Sequence, residues 1–149
     1  MVIDLSRGRA RSAAFLWGLF LFTLTSWPRP PRIPVVSAIP NADKLTHLVL
    51  YGVEAFLIYR AVRWPGRPAF SLARVLAITG VLAVWGVADE IHQYWIPGRT
   101  MEGGDVAADA AGAALGGLVA SAVSAGARLE GADPSSAVEA SEDESPRSG

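Results

Sequence analysis

The chain has 149 residues, a formal net charge of −1 and 51% hydrophobic residues, with a mean hydropathy of +0.31. That length fits one domain, and the apolar content is high for a soluble protein. The absence of cysteine excludes disulfides, thiolate nucleophiles, palmitoylation and cysteine-type zinc sites; the near-neutral total hides a basic membrane part and an acidic tail, and no nucleic-acid partner is expected.

Arg7, Arg9 and Arg11 precede an apolar run from Ala13 to Leu24. The pattern is similar to a signal peptide. Its one passable cleavage sequence, Val36-Ser37-Ala38, lies more than ten residues past the run, beyond Pro28, Pro30, Pro31 and Pro34. That is too far for typical processing, so an uncleaved first span over about Ser12 to Trp27 is expected. At 1.5 Å per residue it is slightly short for a ~30 Å hydrocarbon core, which calls for arginine snorkelling or bilayer thinning.

A proline-rich loop, Pro28 to Pro40, stops any helix through missing amides and restricted φ. The second span is expected from Ala42 to about Val62, with the Asn41 side chain as N-cap. Pro65-Gly66-Arg67-Pro68 breaks the chain again. Ser71 can cap a third span that runs to about Trp95, and Pro97-Gly98 ends it. The fourth span, about Gly104 to Ala127, is nearly all Ala, Gly and Val. Residues 128–149 carry six acids, two arginines and almost no large apolar side chain. Such a segment cannot bury enough surface to offset chain entropy, so it reads as a disordered acidic cytoplasmic tail. The expected organisation is therefore an all-α, four-transmembrane-helix bundle over residues 1–127, followed by that tail.

Basic residues set the orientation. Arg7, Arg9, Arg11, Arg60, Arg63, Arg67, Arg74 and Arg128 lie on one side; Arg29, Arg32, Lys44 and Arg99 lie on the other, eight against four. The N-terminus, the middle loop and the C-terminus are expected in the cytoplasm. The start of span two, the end of span three and the start of span four then share the outer face, where most of the unusual polar residues sit.

Each helical residue advances about 100°, which sorts these residues into stripes. Asp43, His47, Tyr51 and Glu54 fall within about 80° on span two. Asp89, Glu90 and Gln93 fall within about 100° on span three, continued by Gly86 and Leu82, with His92 on another flank. Asp105, Asp109, Gly112 and Gly116 fall within about 60° on span four. The simplest packing turns the stripes inward. Carboxylates would then meet His47, Lys44 and Arg99 near the outer surface.

Plainer readings exist for single members. Asp43 and Lys44 suit a helix N-terminus and a snorkelling anchor. Trp27, Tyr94 and Trp95 suit an interfacial aromatic belt. Gly112 and Gly116 suit close helix packing. Asp89 and Glu90 are harder to dismiss: ionisable groups within a membrane are costly, and acids at a helix C-terminus oppose its dipole. Asp43 with His47, and Asp89 with His92 or Gln93, have helical ligand spacing, and Asp105 and Asp109 could add oxygens. Nothing matches HExxH or a cysteine–histidine knuckle, so neither a metal nor another cofactor is expected.

The segments DKLTHLVLY (Asp43 to Tyr51), DEIHQYWIPGR (Asp89 to Arg99) and DVAADAAGAALGG (Asp105 to Gly117) together resemble the VanZ-like family of small bacterial membrane proteins. The resemblance implies a multi-pass protein of the bacterial cytoplasmic membrane, linked through the founding member to low-level teicoplanin resistance. It implies no settled reaction. It marks Asp43, Lys44, His47, Tyr51, Asp89, Glu90, Gln93, Arg99 and Asp105. Asp109 stands where the family usually has Asn.

Two functional classes follow. In the first, Asp43, His47, Asp89 and Glu90 supply acid–base chemistry. Lys44, Tyr51, Gln93, Arg99, Asp105 and Asp109 then bind a membrane lipid, a lipid-linked envelope precursor or a glycopeptide. No serine lies in a triad-type hydrolase motif. In the second, the charges form an internal salt-bridge network, with the small face of span four available to another protein or a second copy. Proton-coupled transport through Glu54 ranks below both.

Overall fold

A computed structural model describes residues 5–28, 40–62, 68 and 70–130, with residues 5–7 and 128–130 as backbone alone. Most of the proline-rich loop, with Arg29 and Arg32, lies outside the described residues. So do Arg63, the Pro65-Gly66-Arg67 break and the acidic tail beyond Glu130. Among the described residues there are four helices: α1 Leu5–Thr25, α2 Ala42–Ala61, α3 Leu72–Gln93 and α4 Gly103–Glu130.

The helix α3 and the Gly103–Ala127 part of α4 are long and apolar enough to cross a membrane. The helices α1 and α2 have 21 and 20 residues, about 30 Å each, and carry more charge. Asp43, Lys44, Glu54 and Arg60 all lie on α2. The helix α1 starts at Leu5, before the expected span start at Ser12, so helix continues through the arginines, while the apolar stretch itself stays as short as the sequence makes it. Large apolar side chains point outward on every helix, among them Phe15, Leu16, Val49, Val81, Val84, Leu115 and Val119. Such a surface is unfavourable in water and ordinary against lipid tails.

The interior is built around α2 and α4. Tyr51, Ala55 and Tyr59 of α2 pack with Ala113 and Ala120 of α4 and with Val75, Ile78 and Leu82 of α3. Glycine sets the approach. A Cβ at Gly112 would collide with the Leu48 carbonyl, and one at Gly116 with the Gly52 carbonyl. The small face of α4 is thus taken by α2 within the chain, which corrects the expectation that it is free for a partner. The helix α1 is tied on by Trp17, whose Nε1–H donates to the Leu50 carbonyl at 3.0 Å.

The helix ends follow local chemistry. Ser71 caps α3, its hydroxyl accepting from the Arg74 amide, as expected. Asn41 does precede α2, but it adopts φ 56°, ψ 30° and makes no side-chain cap bond. Asparagine tolerates the left-handed region because its short side chain is compatible with it, and here that tolerance replaces capping. Gly98, at φ 84°, makes the turn that brings Arg99 and Glu102 back over the end of α3. At the opposite end, buried Ser121 pairs with the Tyr59 hydroxyl at 2.8 Å and accepts the Ser71 amide at 2.9 Å. That joint fixes α2, α3 and α4 far from the acidic residues.

Candidate functional site

The C-terminal ends of α1 and α3 and the N-terminal ends of α2 and α4 meet at one end of the bundle. Asp89, Glu90, Asp105 and Asp109 are all buried there, at 6%, 3%, 7% and 1% exposure. Four buried carboxylates in so small a volume need partners, because burying an unpaired charge is costly.

The partners fall into three groups. Lys44, on the first turn of α2, places Nζ 2.9 Å from Asp43 Oδ2, 2.9 Å from Glu102 Oε2 and 3.2 Å from Asp105 Oδ1. Gly104 makes room for this, since a Cβ there would press on the lysine stem. His47, one turn deeper, has Nδ1 2.9 Å from Asp109 Oδ1. Its other nitrogen, Nε2, lies 3.8 Å from Asp105 Oδ2, and the Tyr51 ring stacks on the imidazole. On α3, Asp89 accepts from the Thr25 hydroxyl at 2.8 Å and from Gln93 Nε2 at 3.2 Å. Glu90 accepts from the Glu102 amide at 2.7 Å through Oε2.

Two carboxylate oxygens in this cluster, Glu90 Oε1 and Asp109 Oδ2, are buried without a hydrogen-bond partner. Gly86 leaves space for the second: a Cβ there would stand 2.7 Å from Asp109 Oδ2. Orphaned buried oxygens are uncommon and call for an explanation.

A family model described as VanZ/LLP1 matches residues 6–124, from the first turns of α1 to near the end of α4. The chain belongs to the VanZ/LLP1 family. No curated protein and no solved structure matches it.

Within this VanZ/LLP1 chain the three expected stripes converge, but not uniformly. His47, Lys44, Asp89, Glu90, Gln93, Asp105 and Asp109 come together, with Tyr51 beneath them. Asp43 sits at the exposed rim and reaches the cluster only through Lys44. Arg99 does not neutralise Asp89 or Glu90. Its guanidinium grips the Thr25 carbonyl at 3.2 and 3.3 Å, so it clamps the α3–α4 turn onto the end of α1. Glu54 leaves the stripe for an apolar crevice of about 410 Å³ between α1, α2 and α3, lined by Phe15, Leu19, Leu82 and Trp85 among others. His92 turns to α1, stacking on Phe22 and lying 3.2 Å from the Ser26 hydroxyl. Trp27, Tyr94 and Trp95 are exposed at this end, where belt aromatics would sit.

Thr25, Ser26 and Glu102 are site residues that the sequence reading missed. A threonine ending an apolar run usually bonds back to its own helix, and Thr25 does so with Leu21. Nothing local announces its bond to Asp89, 64 residues away. Glu102 carries a weak sequence signal as an acid just before a helix start; in the structure its carbonyl accepts the Asp105 amide.

Proposed function

We propose that this pocket binds the polar head group of an envelope lipid or lipid-linked precursor and acts on it by proton transfer. His47 and Asp109 serve as the acid–base pair. The 2.9 Å contact between His47 Nδ1 and Asp109 Oδ1 carries the reading. A carboxylate accepting from one imidazole nitrogen orients the ring and leaves the other free to take or give a proton. Lys44, Glu102 and Asp43 form the polar rim through which a head group would enter. The distribution of basic residues favours a rim on the extracytoplasmic side of a bacterial cytoplasmic membrane, in a four-span, N-in, C-in protein. The VanZ resemblance supports glycopeptide susceptibility, teicoplanin first, as the phenotype to measure.

The test compares phenotype with abundance for His47→Asn, whose side-chain amide keeps a donor for Asp109, and for Asp109→Asn. Both variants are expected to lose the phenotype while accumulating in the membrane at wild-type levels. Wild-type susceptibility in both would overturn the reading. A second, structural reading draws on Lys44, whose ammonium joins carboxylates of α2, the α3–α4 turn and α4. Such a half-exposed ion-pair network can tie three elements together without adding much stability. Under it, the same substitutions lower abundance instead.

A further inference from the structure

We propose that His47, Glu90 and Asp105 form a site for one divalent transition-metal ion of the Zn2+ or Mn2+ class. The inference rests on the head-group pocket described above; with an ion bound, His47 Nε2 is a ligand, and proton transfer would fall to water on the ion rather than to the imidazole.

Each of the three residues holds one polar atom in place and offers another. His47 commits Nδ1 to Asp109 and presents Nε2. Asp105 commits Oδ1 to Lys44 and presents Oδ2, 3.8 Å from that nitrogen. Glu90 commits Oε2 to the Glu102 amide and leaves Oε1 buried and unpartnered. One donor atom from each residue lies within 4.8 Å of the other two. A separation of 3.8 Å is too long for a hydrogen bond. It is close to the roughly 3.4 Å that two donors keep on one tetrahedral ion with metal–ligand distances near 2.1 Å.

The surroundings match a metal site in two more respects. Asp109 stands behind His47 as an orienting carboxylate, the outer-shell arrangement that fixes a ligating imidazole. Charge is also unbalanced: of the four buried carboxylates, Lys44 reaches Asp105, while Arg99 is engaged with the Thr25 carbonyl. A divalent ion would offset that excess and make an acidic pocket receptive to an anionic head group. One imidazole with two carboxylates suits zinc or manganese better than calcium or magnesium, which favour all-oxygen shells. A neighbouring triad, Asp43, Glu102 and Asp105, has similar spacing, but the Lys44 ammonium already lies among those carboxylates.

The experiment uses the full chain in mild detergent, stripped with a chelator and given no lipid. Zn2+ alone and Mn2+ alone are titrated by equilibrium dialysis. The Mn2+ form is then examined by pulsed electron paramagnetic resonance for coupling to a nitrogen nucleus. The expected result is one ion per chain, a nitrogen coupling that His47→Gln abolishes, and affinity at least 10-fold weaker in Glu90→Gln and in Asp105→Asn. Asp43→Asn should bind as wild type. Circular dichroism of each variant confirms its helices, and Asp105→Asn serves where the more buried Glu90→Gln does not fold. Failure of the wild type to bind either ion, or wild-type affinity in the folded Glu90 or Asp105 variant, would overturn the site. So would loss of binding in Asp43→Asn, which would move the ion to the lysine cluster. If no ion binds but a head group still co-purifies with the protein and is lost in His47→Asn, the metal inference fails and the proposed function stands. If the ion binds but His47→Asn keeps the phenotype, the proposed function fails and the site stands.

Discussion

His47 on α2 and Asp109 on α4 meet at 2.9 Å because, one turn deeper, Gly112 lets α4 rest against the Leu48 carbonyl. The glycine has no chemistry of its own, yet it sets the distance at which the imidazole and carboxylate meet. Gly112→Ala forces the two backbones apart. It should cost about 2–3 kcal/mol, the upper range for overpacking, read as a lower thermal midpoint in detergent. The phenotype should fall with it. A Gly112→Ala protein as stable as wild type would mean that this approach does not hold the site together.

The same carboxylate makes a sharper case. Asp109 needs one oxygen for His47, while Oδ2 has no partner. Asp109→Asn keeps an acceptor for the imidazole and removes the cost of a buried charge, so its stability should stay within about 1 kcal/mol of wild type. Asp109→Leu leaves the His47 nitrogen without its partner and should cost about 1–3 kcal/mol. Thermal unfolding of the pair separates the two, and equal midpoints would contradict the contact.

Orientation can be tested with a tool the sequence supplies, since the chain has no cysteine. Met101, 57% exposed beside the cluster, becomes a single label site as Met101→Cys. A membrane-impermeant maleimide added to intact cells should modify it. Gly8→Cys, near the start of α1, should react only after permeabilisation. The reverse pattern would place the pocket on the cytoplasmic side.

Periodicity revealed which residues share a face, and little else about the site. Asp89, Glu90, Gln93, Gly86 and Leu82 share one stripe on the helical wheel, and all five are buried. Spacing also brought Asp109 to the face that carries Gly112. Yet a helical wheel fixes angle, not neighbour. Glu54 shares the stripe of His47, but it lies almost two turns deeper, where α2 faces the crevice beside α1. Arg99, with Lys44 and His47, is expected as a counter-ion because it shares the outer face with Asp89 and Glu90; the Gly98 turn instead aims it at a backbone carbonyl. Thr25 could not be found at all, because its role depends on where α1 ends relative to α3.

A stability defect must be told apart from a chemical one, and Ser121 provides the control. It is fully buried and joins Tyr59 and the Ser71 amide at the end of the bundle away from the acids. Ser121→Ala removes the acceptor of that amide and should cost about 1–3 kcal/mol. Phenotype per molecule of folded protein should be unchanged. His47→Asn, which keeps a donor for Asp109 but loses the free ring nitrogen, should show the opposite profile, with abundance kept and phenotype lost. Matching profiles for the two variants would favour the structural reading of the charges.

Glu54 tests what the deeper carboxylate is for. Its Oε2 is buried without a partner in a crevice whose other lining is apolar or glycine. An unpaired buried carboxyl is unfavourable whatever its protonation state, and leucine is close to it in size. If Glu54 has no role in the head-group chemistry, Glu54→Leu should raise the thermal midpoint, equivalent to about 1–2 kcal/mol, and leave the phenotype intact. Gly18 faces it across the crevice, where an added methyl would stand 3.4 Å from Oε1, an ordinary van der Waals contact. Gly18→Ala should therefore be tolerated. A Glu54→Leu protein that gains stability but loses the phenotype would assign this residue a function that the cluster around His47 does not supply, and the proton-relay reading would then regain weight.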